Sequence, residues 1–378
     1  MMLHRNPQGV TVMKRLELLD YGRFIAALCV LGYHYLFNGI NNGKVSSITH
    51  IPAIIDIAKY GYLGVEFFFM ISGYVIFFSA NRKSAGDFLT SRAVRLFPAF
   101  WVAVLFTSAI AFFIGGAMMS VTAPQVVTNL TMFPNVFGYA FVDGVYWTLQ
   151  YEWKFYFAVF AVLALGLQEQ LRFIFMLWPV GMVLAKITGL TALPYMGDYY
   201  CYFAAGCLFA MLKEQKSWPT MGSLLLCGYL CISFTLEKAL VLETTKNVDY
   251  SLTVIATVIV SFFALFTFIN SVRGASLKLP GSRLAGGLTY PVYLIHAHFG
   301  YMVLNHFATE QNKILVYLLC LASVLATAYL IHIFAEKKPA SYWEHLFSRT
   351  LGTAGNAVQI RASAAAGSLY RYALAKIR

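Results

Sequence analysis

Residues 18–37 read LLDYGRFIAALCVLGYHYLF. The run is long and apolar enough for a membrane helix, yet Arg23 and His34 stand inside it. Eleven residues is close to a whole number of helical turns, so both side chains share one face, roughly 16 Å apart along the axis. A full charge in a membrane helix costs at least about 2.5–3.5 kcal/mol. Residues kept at that cost usually have a task. The pair reads as a docking charge and a proton-transfer group; the plainer alternative for His34 is a hydrogen bond to a neighbouring helix.

The rest of the chain has the same character. Of its 378 residues, 59% are hydrophobic and 12% charged, where soluble domains carry about 25% charged residues. Mean hydropathy is +0.66. These values describe an all-α polytopic membrane protein and exclude a soluble one. No small-residue cleavage pattern follows the first apolar run, which reads as a retained helix rather than a signal peptide. Cys29, Cys201, Cys207, Cys227, Cys231 and Cys320 lie in apolar segments without a CxxC pair or metal-ligand spacing. They read as small core residues, and no metal site is expected. The net charge of +12 suggests nucleic acid only until the charges are placed along the chain; membrane topology explains them better, and no nucleic-acid partner is expected.

Hydropathy predicts ten spans, near 17–38, 60–80, 97–118, 145–165, 172–190, 199–213, 220–237, 250–271, 287–307 and 314–335. With the N-terminus in the cytoplasm, inner segments carry 20 Lys and Arg and outer loops six, while Arg23 and Lys154 fall within spans. That bias supports ten spans with both termini inside. The organisation is then a cytoplasmic N-terminus (1–16), a transmembrane unit (17–336) and a basic cytoplasmic tail (337–378), which either lies on the anionic inner leaflet or is disordered. The outer segment 119–144 has no Lys or Arg but contains Pro124, Pro134 and several aromatics. It reads as re-entrant or interfacial, provided that protein buries its backbone.

Counting rise from the span ends places His34 roughly 6 Å deep from the outer side and Arg23 roughly 22 Å deep. Glu66 lies roughly 9 Å deep and Glu152 roughly 10 Å deep from the same side. Two carboxylates and one imidazole are therefore expected in one outer layer, with Glu66 or Glu152 orienting His34 and raising its basicity. Ser72 and Tyr74 approach the level of Arg23 and go with it. Arg92 and Arg95, in SRAVRLFP, flank a turn just inside the membrane. Ordinary positive-inside charge explains them; a phosphate clamp is the sharper reading, because guanidinium forks match phosphate oxygens. Gly64 and Gly73 bracket an aromatic stretch, as helix-packing contacts or as a cavity wall. His296 and His298 follow TYPVYLI in span nine, for packing or for function.

The ordered set of motifs resembles membrane acyltransferase family 3, multi-pass proteins that acylate bacterial surface glycans. Asp20-x-x-Arg23, followed by ten residues and His34, is similar to the family's first-helix signature. Gly64-Val65-Glu66-x-Phe68-Phe69-x-x-Ser72-Gly73 is similar to its second, Arg92-x-x-Arg95 to its short basic motif, and Trp147-x-Leu149-x-x-Glu152 to its fourth-helix motif. Tyr290-x-x-Tyr293-Leu294-x-His296 resembles the late motif, and Glu336-Lys337 the end of the last span. Glu66 stands where the family more often has Asp, and Lys154 where a neutral residue is expected. The extracytoplasmic hydrolase-like domain of some members is missing from the sequence.

The resemblance implies about ten core helices in a bacterial inner membrane, an acyl-coenzyme A donor (acetyl-CoA by default) as co-substrate with no permanently bound cofactor, and an essential His34. The acceptor it implies is a glycan or lipid-linked sugar, with membrane lipids and polysaccharide-assembly proteins as further partners. On that reading His34, Glu66 and Glu152 are catalytic, Arg23, Arg92, Arg95, Ser72 and Tyr74 bind the donor, and Asp20, Trp147, His296 and Tyr293 are structural or touch substrate. The Arg23–His34 separation is comparable with an extended pantetheine arm. Two other classes use the same residues differently. A transporter or flippase would couple Arg23, His34 and Glu66 to substrate or protons, although no internal repeat or paired broken helices are evident. A membrane scaffold in a polysaccharide-export complex would not need His34 at all.

Overall fold

The computed structural model describes residues 15–80 and 83–377, the last twelve by backbone alone. The expected cytoplasmic N-terminus (1–16) lies outside the described residues except for Arg15 and Leu16. The helices of seven residues or more are α1 (Glu17–Tyr33), α2 (Pro52–Ala58), α3 (Gly64–Ala80), α4 (Ala85–Ile114), α5 (Ala123–Asn129), α6 (Trp147–Ala164) and α7 (Leu171–Ile187). They continue with α8 (Tyr200–Glu214), α9 (Trp218–Lys246), α10 (Leu252–Asn270), α11 (Ser282–Phe307), α12 (Lys313–Ile331), α13 (Ala340–Phe347) and α14 (Thr353–Ile377). Among the described residues there is no strand.

Each of the ten expected spans is helical, and seven stretches are long and apolar enough to cross a membrane: Glu17–Asn41, Pro52–Ala80, Ala85–Ile114, Gln168–Ile187, Trp218–Lys246, Leu252–Asn270 and Lys313–Lys337. The other three are α6, α8 and α11. The first half of α6 carries Gln150, Glu152 and Lys154. Helix α8 has only 15 residues, and every one from Tyr200 to Met211 is buried. Helix α11 is buried continuously from Leu288 to Met302, packed by α1, α4 and α12. A helix wrapped by protein need not be apolar, so α11 can hold Thr289, His296 and His298 where a lipid-facing helix could not. The outward side chains, such as Phe112, Leu225 and Leu318, are apolar.

Helices α3 and α8 make the most extensive contact of the bundle. A methyl group at Gly73 would overlap the Phe203 carbonyl, and one at Gly206 the Met70 carbonyl. The glycines bring the two backbones together, the small-residue packing of membrane helices. At Gly73 this supports close packing rather than a cavity wall.

Several boundaries differ from expectation. Helix α4 starts at Ala85, so Arg92 and Arg95 lie within a helix, three residues apart on one face, and not beside a turn. Helix α9 runs on to Lys246, past the expected end at 237. Helix α1 widens at His34 into a π-helical turn (His34–Asn38) before ending at Asn41. The segment 119–144 is folded on itself. Asn129 Nδ2 donates to the carbonyls of Gln125 (2.8 Å) and Ala140 (2.9 Å), and its Oδ1 accepts from the Val142 N–H (2.9 Å). The tail forms α13 and α14 rather than a disordered segment, and both pack on α4. Asn356 Oδ1 accepts from the Gly86 N–H and Gln359 Oε1 from the Ala85 N–H, each at 3.0 Å. Two orphan donors in the first turn of α4 are satisfied in this way.

Candidate active site

Two cavities of about 310 Å³ each lie along α1. Arg23 borders the first, with Arg92 and Arg95 from α4, Ser72 from α3, and Glu152 and Tyr156 from α6. Glu152 is the one carboxylate in its lining. Glu152 Oε1 accepts hydrogen bonds from Ser72 Oγ (3.0 Å) and from the Tyr156 hydroxyl. Arg95 Nη1 reaches Glu336 Oε1 at 3.4 Å, and Glu336 Oε2 holds His332 Nδ1 at 2.7 Å. Arg92 lies over the Tyr156 ring at 5.7 Å. Arg23 has no ion pair within 4 Å among the described residues. The cavity is thus cationic and apolar-walled, suited to an anionic ligand with a long organic part.

His34 borders the second cavity, half-buried at the start of the π turn. Its Nδ1 bonds the Tyr301 hydroxyl of α11, which also accepts from Asn38 Nδ2 at 2.8 Å. A phenol oxygen has two lone pairs, so Tyr301 can take both N–H groups and leave His34 Nε2 with its lone pair. The ring of His296 lies 5.0 Å from that of His34, centroid to centroid. His296 Nδ1 contacts the Tyr293 carbonyl of its own helix at 2.7 Å, and its buried Nε2 has no partner among the described residues. Lys44, Lys238 and Lys246 also line this cavity. Lys246 Nζ donates to the Tyr33 hydroxyl at 2.6 Å and to Asn38 Oδ1. Lys44 Nζ donates to His298 Nε2 at 2.7 Å. Burial pushes the Lys44 ammonium, in the loop after α1, below its ordinary pKa, with Asp143 acting in the opposite sense.

Val65 and Tyr293 border both cavities, so they form the partition between the Arg23 end and the His34 end. Tyr293 is held by a 2.9 Å hydrogen bond to Thr148. Neither carboxylate of the expected layer of His34, Glu66 and Glu152 bonds the His34 ring among the described residues. Glu152 belongs to the arginine cavity. Glu66 is fully buried, and its Oε1 accepts from Lys238 at 3.2 Å. Tyr301, not a carboxylate, holds His34. Tyr74 also lies away from the arginine cavity, its hydroxyl bonded to Asn270 Oδ1 at 2.9 Å. Asp20 pairs with Arg15 at 2.6 Å. Trp147 lines the His34 cavity and packs on Tyr199.

Tyr301, Lys44, Lys238 and Lys246 were not legible as site residues. A tyrosine in a tyrosine-rich helix carries no signal of its own. Lys44 lies in the loop after α1 and read as outer-loop charge, as did Lys238 and Lys246 because α9 was expected to stop at 237. Once α9 is extended, Lys238, Leu242 and Lys246 fall at i, i+4 and i+8, a spacing that the sequence does contain.

No curated protein and no solved structure matches this chain. The family model for the acyltransferase domain of acyltransferase family 3 matches residues 16–333, from the first residues of the bundle to the end of α12 and including both cavities. The chain belongs to acyltransferase family 3 and is a multi-pass membrane acyltransferase.

Proposed function

We propose that the protein moves an acyl group, acetyl by default, from cytoplasmic acyl-coenzyme A to a hydroxyl of a surface or lipid-linked glycan across a bacterial cytoplasmic membrane. One observation carries this reading: an arginine cavity and a histidine cavity lie along the same helix with Val65 and Tyr293 common to both. Arg92, Arg95 and Arg23 bind the donor's phosphates, and the pantetheine arm passes the partition. The separation of Arg23 and His34, roughly 16 Å along α1, suits that arm.

The acceptor hydroxyl enters the His34 cavity from the outer side. His34 Nε2 takes its proton as the oxygen attacks the thioester carbonyl. The C–S bond then breaks, and the coenzyme A thiolate leaves and recovers the proton from the imidazolium. Ser72 lines the other cavity, hydrogen-bonded to Glu152 and away from His34, and that separation favours direct transfer over an acyl-serine. Glu66 acts by neutralising Lys238, and Glu152 by setting the charge of the arginine cavity.

The test is acyl-CoA turnover and acceptor acylation by purified His34→Ala whose melting temperature matches wild type. Loss of transfer by about 100-fold or more is expected. Transfer at the wild-type rate would sink the mechanism. A transporter built on the same charges would turn over no acyl-CoA in either protein.

A further inference from the structure

The His34 cavity has a charge pattern that the transfer chemistry does not use. Its lining contains Lys44, Lys238 and Lys246 and no carboxylate. Lys238 is paired with Glu66. Lys44 and Lys246 have no ion pair within 4 Å among the described residues; their partners are His298, Tyr33 and Asn38, all neutral acceptors. Asp143, the nearby carboxylate, is fully buried, and its oxygens accept from the backbone N–H groups of Val145 (3.1 Å) and His298 (2.8 Å). Lysines at an outer membrane surface normally extend into water. These two come from different segments, the loop after α1 and the end of α9, and both turn into one cavity. Ammonium groups drawn out of water without a counter-ion are costly, and a ligand that brings the counter-ion removes that cost.

We propose that the acceptor taken by this cavity is an anionic sugar, one that carries a carboxylate or phosphate near the hydroxyl to be acylated. The inference rests on reading the His34 cavity as the acceptor site. The donor's phosphates have their own cations in the arginine cavity. The aromatic wall of Trp147, Tyr62 and Tyr199 supplies apolar faces for a sugar ring.

The experiment compares binding of methyl glucuronide, glucose 6-phosphate and neutral methyl glucoside to the purified full chain by calorimetry. It is run in wild type and in an Arg92→Ala/Arg95→Ala background that removes two of the three cations of the other cavity. At least one anionic sugar is expected to bind about tenfold or more tightly than the glucoside, with the preference fading at about 0.5 M salt. The preference should vanish in Lys44→Gln/Lys246→Gln and return in Lys44→Arg/Lys246→Arg, which also controls for folding. A carboxylate source favours the glucuronide, and a phosphate source favours glucose 6-phosphate. Equal binding of all three sugars, or a preference that survives the double glutamine change, overturns the proposal. So does binding of succinate by the same lysines with no sugar preference, which would move the charge to the acyl group. Acyl-CoA turnover in the same preparation separates the two readings. Anion preference without turnover removes the acyltransferase mechanism, and turnover without preference removes the acidic acceptor.

Discussion

Tyr301 holds the His34 ring through its Nδ1. Replacing it by Phe keeps the ring packing and removes the oxygen. Tyr301→Phe is expected to lower kcat by about 10- to 100-fold and to alter the pH profile, with the donor's KM unchanged. An unchanged kcat would make Tyr301 a packing residue. Arg23, His34, Glu66 and Glu152 were legible because each is a charge or an imidazole set in an apolar run, where its cost demands a reason. Their partners were not legible. Rise counted along one helix does not say where that helix begins relative to its neighbours, and this is why Glu152 was expected beside His34 and lies instead with Ser72.

Among the elements, the α3–α8 seam fixes where Val65, Glu66 and Ser72 stand. Gly206→Leu forces a side chain into the Met70 carbonyl, where the backbone has no room to give. A loss of about 1–3 kcal/mol or more is expected, visible as a lower melting temperature, with activity falling alongside it. Gly32→Ala is the contrast, since nothing lies within 4 Å of the added methyl; it should melt at or slightly above wild type. Hydropathy found the lipid-facing helices well, because lipid imposes composition directly. It was least informative for α8 and α11, whose surroundings are protein, and for the π turn at His34, which has no compositional signature.

For the whole molecule, the helix that carries Arg92 and Arg95 is braced by a segment outside the family match. Helix α14 caps the first turn of α4 through Asn356 and Gln359, two to three turns before Arg92 and Arg95. A chain stopped after Gly352 loses both caps, each worth about 1 kcal/mol. It should melt lower and show a donor KM raised more than kcat is reduced; steady-state kinetics with acyl-CoA measures the split. An unchanged KM would make the tail a bystander. This arrangement also has a temporal side. Asn356 leaves the ribosome 270 residues after Gly86, which at ordinary translation speeds is roughly 14–54 s later. During that interval α1, α3 and α4 can already be in the membrane while the first turn of α4 has only its local Ser84 cap. The first turn of the helix that carries Arg92 and Arg95 is therefore completed only when the end of the chain arrives.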